Sequence, residues 1–388
     1  MAPQEQMDDA PEATFGKVHV PYGEDGSGHY SLATKGCFDV IEQSKPICMK
    51  ALGDVALGSA GEAFVLADYG TADGGTSMPL MSALIADVRR RDPSREIVVQ
   101  YEDQPNNDFK SLFFYVQGVT DLGRKGYSQS YLKEFDTGVF VTVSGTSFFD
   151  QCFPTGSVHL GMSFTAMHWL SAKPCNIADG VHMTHASVEE RAKLAAQAAA
   201  DYERILLNRA RELATGGRLV IVNFCVDSEN QFLGKTHSSS ECMFENFRKH
   251  WRAMRDEGRI TPAEYEEGTI LNYYRSDEEM RAPFQEGHAV HAAGLRLASS
   301  TSMVTPCPYR AQFLKEGGDP AATAKGIIGT MRTWSNSSFL TALSESRPMA
   351  ERVALVDEFY GRYEKEIATD PSKHHMDYVH HYVTIEKV

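Results

Sequence analysis

The sequence predicts an α/β protein with a Rossmann-like, mostly parallel sheet and a helical cap. Apolar runs of strand type alternate with helical segments from about residue 38 to 225, which is the pattern of a parallel sheet. The first two strands end in acidic residues, Asp68 and Asp103. In 240–345 this alternation gives way to amphipathic helices broken by Gly and Pro, which favours a separate cap.

The core elements follow from hydrophobic period and from turn residues. In chain order we expect helix 38–57, strand 63–68, helix 77–91, strand 96–102, helix 106–117, strand 138–143, helix 187–214 and strand 218–224. Gly216 and Gly217 are expected to end the long helix as a glycine C-cap.

The second half of the sequence predicts the helical cap and the remaining strands of the sheet. We expect helices at 242–257, 261–266, 276–281 and 322–343, a strand within 290–304, and a closing edge strand at 378–386. The expected division is a flexible lead at 1–27, a cofactor-binding core at 28–230, an acceptor-binding cap with a return strand at 231–345, and a C-terminal helix and closing strand at 346–388.

Composition indicates a globular enzyme in a reducing compartment. The chain has 388 residues, 42% of them hydrophobic and 23% charged. A formal net charge of −14 disfavours binding to nucleic acid or to an anionic membrane, since both need surplus Lys and Arg. The 7 cysteines are scattered without a C-x-x-C pair. With a polar, acidic start and no apolar run of about 18 residues, the expected location is the cytoplasm.

The glycine-rich turn at 70–75 predicts a nucleoside pocket. It directly follows a buried strand, so glycines let the backbone approach a ligand, while Asp103 after the next strand can accept ribose hydroxyls. Neither G-x-G-x-x-G nor G-x-x-x-x-G-K-[ST] occurs here to bind phosphates. S-adenosylmethionine is the common nucleoside cofactor without phosphates, whereas the alternative is a tight turn with no ligand.

Four ordered motifs carry a family resemblance. They are EDQPNNDF at 102–109, SFFDQCFP at 147–154, SVH at 157–159 followed by WLS at 169–171, and GGRLV at 216–220. Together they resemble the SABATH family of S-adenosylmethionine-dependent methyltransferases, which act on salicylate, benzoate, jasmonate-like acids and xanthine alkaloids. The resemblance extends from about residue 28 to 387 and implies a Rossmann-like core with a cap over the acceptor pocket.

The resemblance implies a set of cofactor-binding residues. Asp103 would take the ribose hydroxyls, with Gln104 beside the adenine, while Ser147 and Phe148 would hold the adenine ring. The full set is Tyr30, Thr34, Asp68, Gly70, Asp103, Gln104, Ser147 and Phe148.

The implied acceptor pocket departs from the family pattern. Trp169 matches the tryptophan that binds the acceptor carboxylate, but Cys37 stands where the carboxyl methyltransferases have a glutamine. Thr165 replaces a tyrosine and His168 a methionine. The expected pocket residues are Cys37, Thr165, His168, Trp169, Met243, Phe244, Met331, Trp334 and Tyr378.

The expected reaction is methylation of a small-molecule acid at a carboxylate oxygen. Such an acid is ionised near neutral pH, so catalysis requires orientation and desolvation more than a base. The indole N–H of Trp169 suits this, and Thr165, His168 or Tyr378 could supply a second donor. We name Trp169 and His168 as candidate catalytic residues.

Two alternatives stay open. His168 could be a base for N- or S-methylation of a small heterocyclic or thiol-containing acid, or the chain could be a non-catalytic cofactor-binding homologue. We expect a homodimer and no metal. Four histidines near the C-terminus do not suggest a metal, because neighbours on a strand face opposite ways: His374, His375, His380 and His381.

Overall fold

The computed structural model describes residues 22–59, 61–121 and 130–388, so most of the predicted lead at 1–27 lies outside the described residues. Its centre is one seven-stranded sheet in the order β3-β2-β1-β4-β5-β7-β6. The strands are β1 Phe64–Tyr69, β2 Ile97–Glu102, β3 Val139–Ser144, β4 Val158–Phe164, β5 Leu213–Phe224, β6 Leu295–Thr305 and β7 Tyr378–Lys387. Strands β1 to β5 are parallel, and β7 is antiparallel to both of its neighbours.

Helices cover the sheet and build the cap. Within the described ranges they are α1 His29–Ala33, α2 Lys35–Gly53, α3 Met78–Arg91, α4 Phe109–Val116, α5 Tyr131–Glu134, α6 Val188–Glu212, α7 Met243–Asp256, α8 Pro262–Glu267, α9 Asp277–Arg281, α10 Ala289–Ala292, α11 Pro308–Glu316, α12 Pro320–Ala342 and α13 Met349–Thr369, with short 3₁₀ turns at Met183–His185 and Ala282–Phe284. Capping boxes start α6 at Ser187 and α8 at Thr261, as their sequences favour.

The Rossmann-like α/β core and the helical cap are confirmed. Strand β1 is buried along its whole length because β2 and β4 flank it and helices cover both faces. Asp68 pairs in register with Tyr101, so β1 and β2 end side by side. The acidic residues that follow these strands therefore meet at one edge of the sheet.

The predicted end of the long helix is wrong. Helix α6 ends at Glu212, and β5 begins at once with Leu213. Gly216 and Gly217 lie in a bulge of β5, where the register with β4 shifts. A Cβ on Gly217 would come within 2.8 Å of the Ala214 carbonyl oxygen, so the glycines serve the bulge and not a helix cap.

The closing strand is not at the edge of the sheet. Strand β7 lies between β5 and β6, and β6 forms the edge. Residues 378–385 are buried on both faces, and the histidines and threonine that suggested a polar face pack inside. Strand β4 was not predicted at all, because Gly161 and Ser163 interrupt its apolar run.

Aromatic packing holds the cap helices against the C-terminal helix α13. Phe247 of α7 lies 5.6 Å from Phe359 of α13, and Phe359 lies 4.4 Å from Phe339 of α12, between ring centroids. Such contacts add to the area that each ring buries. Among the described residues, no helix combines the length and apolarity needed to cross a bilayer.

Candidate active site

A cavity of about 220 Å³ lies at the edge where the parallel strands end. Its walls come from the segments after β1, β2 and β4, from the start of β7, and from α1, α2 and α12. Of the residues predicted from the sequence, the cavity brings together Tyr30, Thr34, Cys37, Gly70, Asp103, Gln104, Phe148, Thr165, His168, Trp169, Trp334 and Tyr378.

A second, much smaller cavity of about 10 Å³ adjoins the first, and the predicted residue Asp68 lines its wall. Four residues line both cavities, namely Tyr30, Cys37, Gly70 and Thr165. The phenol oxygen of Tyr30 lies 3.7 Å from the Cys37 sulfur. These shared residues therefore stand between Asp68 and the large cavity.

Gly70 brings the backbone close to the cavity. Its φ is +72°, and a Cβ there would come within 2.4 Å of the Cβ of Ala166. Its N–H donates to the Glu102 side chain at 3.1 Å. Only glycine fits this left-handed turn without displacing Ala166.

Asp103 is held from both sides by backbone N–H groups. Ala72 donates to Oδ2 at 2.7 Å, and Gln104 donates to Oδ1 at 2.8 Å. Burial nevertheless raises the pKa of Asp103 to about 6. The fixed carboxylate faces the cavity, where each oxygen still has acceptor capacity.

Two further buried carboxylates shape the turn. Burial raises the pKa of Asp68 to about 6, although the hydroxyls of Thr71 and Ser77 donate to its Oδ2. Asp73 also has a pKa raised to about 6 by burial. It accepts bonds from the N–H and the hydroxyl of Ser31, which ties α1 to the glycine turn.

A buried ion pair positions the segment that carries Phe148. Arg209 and Glu212 of α6 are fully buried and 2.7 Å apart. Arg209 donates to the carbonyl oxygens of Phe148 and Asp150, while Glu212 accepts from the N–H groups of Cys152 and Phe153. The sequence reasoning missed this network, whose only signal is two opposite charges three residues apart in an otherwise apolar helix face.

The acceptor side is aromatic. The ring of His168 lies 5.3 Å from that of Trp169 and 4.9 Å from that of Phe224. The backbone of this segment is hydrogen-bonded to the cap, because the backbone N–H of Tyr273 donates to the His168 carbonyl oxygen at 2.9 Å. Trp169 is only 5% exposed, so polar groups here act in a nearly dry environment.

Thr165 adopts an unusual backbone conformation on the cavity wall. Its φ is +58°, and its N–H donates to the Val222 carbonyl oxygen at 2.7 Å. Its hydroxyl lies 3.0 Å from Nε2 of His380. The structure thus fixes both the backbone and the hydroxyl oxygen of this residue.

Four predicted site residues lie outside both cavity walls, namely Ser147, Met243, Phe244 and Met331. The His182 ring stacks on the Phe244 ring, 3.6 Å between centroids, so Phe244 packs against a side chain and does not face the cavity. Met331 is buried but does not line the cavity, whereas Thr330, Thr333 and Trp334 of the same helix do.

Several lining residues were not predicted from the sequence, among them Tyr22, His29, Ala72, Asn106, Asn107, Phe224, Thr330, Thr333 and Met376. The motif at 102–109 could have indicated Asn106 and Asn107. Asn107 donates to the Ala72 carbonyl oxygen at 2.7 Å and so braces the glycine turn.

The charge of the cavity is one-sided. Among the described residues, its lining includes no Lys or Arg, but it includes the acids Glu24, Asp25, Asp73, Asp103 and Asp108. A cationic group is therefore favoured near these acids, and an anionic acceptor must be held by neutral donors.

The C-terminal histidines lie in different surroundings. His380 and His381 face opposite sides of β7, as predicted, with His381 bonded to the Ser300 hydroxyl at 2.6 Å. His374 lies within 4.8 Å of Glu241 and Glu366, a spacing that metal ligands share. Lys249 forms an ion pair with Glu366 of this group.

The sheet, the acid-ended strands and the glycine cradle form the architecture of S-adenosylmethionine-dependent methyltransferases. A family model described as SAM dependent carboxyl methyltransferase matches residues 19–388. The chain belongs to this family, which confirms the SABATH resemblance of its motifs. The family cofactor is S-adenosylmethionine, and the Gly70 cradle and the Asp103 carboxylate fit a nucleoside of this kind.

Similar proteins come from plants and fungi. Gibberellic acid methyltransferase 2 of Arabidopsis thaliana is 26% identical over 62% of this chain and 64% of its own length, just under two thirds. A benzoic acid/salicylic acid carboxyl methyltransferase of Petunia hybrida is 26% identical over 68% of this chain and 74% of its own. O-methyltransferase acrG of Aspergillus aculeatus is 28% identical over 70% and 68%. The fold matches that of loganic acid methyltransferase with SAH, with a TM-score of 0.70, 18% identity, and coverage of 95% and 98%.

Proposed function

We propose that this protein methylates the carboxylate of a small, largely apolar acid, giving a methyl ester. The observation that carries the proposal is the cavity of about 220 Å³, which joins Asp103 and Phe148 to Trp169 and Thr165. The relatives named for gibberellic, benzoic and salicylic acids support a carboxylic acid as the acceptor class. The aromatic wall supports an apolar body.

The cofactor half of the site would hold a nucleoside. We assign the ribose hydroxyls to Asp103, the adenine face to Phe148, and the close approach of the backbone to Gly70. When bound, S-adenosylmethionine supplies an electrophilic methyl group on a positively charged sulfur. The acidic lining of the cavity favours that charge.

The acceptor half would orient a carboxylate without neutralising it. A carboxylic acid with a pKa of about 4 is ionised near neutral pH and needs no base. The indole N–H of Trp169 can donate to one oxygen and leave the other lone pairs reactive. Burial of this wall excludes water from the nucleophile, and fixed orientation alone can contribute about 7–11 kcal/mol. With such an acceptor, His168 contributes a wall and no proton transfer.

A labelled-methyl assay tests the proposal. The purified protein is given S-adenosylmethionine with a radioactive methyl group and a panel of benzoic, salicylic, gibberellic and loganic acids together with N-heterocycles. Each labelled product is then treated with mild alkali, which hydrolyses an ester. We expect alkali-labile label on an acid.

The other outcomes separate the alternatives. Alkali-stable label would move the reaction to nitrogen or sulfur and make His168 the candidate base. Binding of S-adenosylhomocysteine without label on any compound would contradict a role as an enzyme for these acceptors and would favour the cofactor-binding homologue.

We further propose that the protein works as a cytoplasmic homodimer. All of its cysteines are free thiols, which suits a reducing compartment: Cys37, Cys48, Cys152, Cys175, Cys225, Cys242 and Cys307. Light scattering after size exclusion should give twice the chain mass of 43.0 kDa. A mass of one chain at micromolar concentration would contradict the dimer.

A further inference from the structure

His380 is a buried group that the proposed function leaves without a role. It lies on β7 with its ring stacked on Phe224, 4.3 Å between centroids, and no surface of it reaches solvent. Its Nε2 lies 3.0 Å from the Thr165 hydroxyl, which lines the cavity. His380 itself does not line the cavity, so any influence on an acceptor must pass through Thr165.

The surroundings of His380 determine which ring nitrogen carries the proton. Burial lowers the pKa of His380 to about 3, so the ring is neutral and carries one N–H. Within the described residues, Nδ1 has no hydrogen-bond partner, whereas Nε2 has Thr165. A buried N–H without an acceptor is rarer than an acceptor left partly unsatisfied, so the proton belongs on Nε2.

This tautomer determines the direction of the Thr165 hydroxyl. If Nε2–H donates to Oγ1, the hydroxyl hydrogen cannot point back at His380. The described residues offer the Thr165 hydroxyl no other hydrogen-bond partner. The side chain lines both cavities, and its backbone is held by the bond to Val222, so this hydrogen is available to a ligand.

We propose that His380 is a positioning residue, which by donating to Thr165 directs the Thr165 hydroxyl hydrogen at the acceptor carboxylate. Thr165 then becomes the second donor beside Trp169. The proposal rests on the proposed function, since a carboxylate must bind in this cavity for the donor to matter. It also explains how the site can bind a carboxylate with Cys37 in place of the family's glutamine. A thiol is only a weak donor, so the second strong donor would be Thr165.

The first test needs no acceptor. Spectra of the ¹⁵N-histidine-labelled protein at neutral pH should show one ring as the neutral Nε2–H tautomer, assigned to His380 by its loss in His380→Gln. A ring protonated on Nδ1, or on both nitrogens, would overturn the proposal.

The second test measures acid binding to the complex with S-adenosylhomocysteine, with benzoate and salicylate as calorimetric probes. A hydrogen bond to a charged group corresponds to about ten- to a hundredfold in affinity. Thr165→Val should lose that much, while its affinity for S-adenosylhomocysteine stays within twofold of wild type. Thr165→Ser keeps the hydroxyl and should restore binding. In Thr165→Val, KM for an acid that the protein methylates should rise by a larger factor than kcat falls.

Variants of His380 separate positioning from packing. His380→Gln keeps an N–H donor near Nε2 and should bind the probes nearly as wild type does, whereas His380→Met should lose as much as Thr165→Val. Because His380 acts through Thr165, the double variant Thr165→Val/His380→Met should lose no more than either single one. Additive losses, or unchanged binding in Thr165→Val, would overturn the proposal. Failure of wild type to bind either probe would instead overturn the proposed acceptor class, while the tautomer would still be read from the spectra.

Discussion

At the residue scale, the N–H group of Trp169 is the feature on which the proposed acceptor site most depends. Trp169→Phe keeps a ring in the wall but removes the donor. A hydrogen bond to a charged group is worth about 1.5–3 kcal/mol, so we expect KM for the acid to rise about tenfold or more. Steady-state kinetics with the acid identified in the labelled-methyl assay measure this.

Trp251→Phe is the matched control for that variant. Trp251 is fully buried in the cap, and its N–H donates to the Tyr265 carbonyl oxygen at 3.2 Å, away from the cavity. The control should lose stability but keep its KM. If both variants raised KM equally, general loosening of the cap, and not a lost donor, would be the cause.

At the scale of single elements, α6 acts as a clamp on the segment that carries Phe148. Glu212→Gln leaves the buried Arg209 without a partner charge, and breaking one side of a buried pair costs about 3–5 kcal/mol. We expect urea unfolding to show a loss of this order, together with weaker binding of S-adenosylhomocysteine, because the carbonyl oxygens of Phe148 and Asp150 lose their fixed donor.

A surface pair provides the control for the clamp. Asp54→Asn breaks an exposed pair with Lys50 in α2, and such pairs are worth about 0–1 kcal/mol. Its unfolding and its affinity for S-adenosylhomocysteine should match wild type. A Glu212→Gln variant that behaves in the same way would show that the clamp is unimportant.

The elements also show what sequence reasoning could and could not reach. Strands β1 to β3 were predicted because each begins with at least three consecutive apolar residues, which β4 does not. The motifs led to Asp103, Phe148 and Trp169, all of which line the cavity. Burial of polar strand residues was not visible: His380 and Thr384 suggested an exposed edge but lie inside the sheet.

Two further features could not be predicted from the sequence: which face of a helix turns to the cavity, and which residue packs on a given side chain. The resemblance placed Met331, Trp334 and Phe244 in the wall. Of these only Trp334 lines the cavity, together with Thr330 and Thr333 of the same helix α12. Phe244 is covered by His182, which comes from a segment more than 60 residues earlier. A contact so distant along the chain leaves no local pattern in the sequence.

At the scale of the whole molecule, buried histidines set the response to acid. Because an unfolded imidazole takes up a proton near pH 6.5 and these rings do so only at lower pH, stability should fall as pH drops below about 6.5. Burial lowers the pKa of His29, His159, His182, His185, His250, His374, His380 and His381. Thermal unfolding of the unliganded protein should give a lower Tm at pH 5.5 than at pH 7.5, and a higher Tm at pH 5.5 would contradict this.

The carboxylates of the site act with the opposite sign. Burial raises the pKa of Asp68, Asp73 and Asp103 from 3.8 to about 6, so each destabilises the folded protein while ionised. That cost is present above pH 6 and disappears as pH falls through about 6 towards 4. Buried carboxylates that are placed to accept hydrogen bonds from a nucleoside therefore lower the stability of the folded protein until the nucleoside binds.

Asp68→Asn isolates this cost. Both hydroxyl donors, from Thr71 and Ser77, reach the same oxygen, so an amide oxygen in that place keeps both bonds. At pH 7.5 the unliganded variant should be more stable than wild type by about 1–3 kcal/mol, since one pKa unit corresponds to about 1.4 kcal/mol. The gain should be clearly smaller at pH 5, where Asp68 of folded wild type is mostly protonated, and should vanish only towards pH 4, where the unfolded chain is protonated as well. S-adenosylhomocysteine should stabilise the variant less. Urea unfolding at both pH values measures the difference, and a variant less stable than wild type at pH 7.5 would show that the ionised carboxylate is instead a net support of the fold.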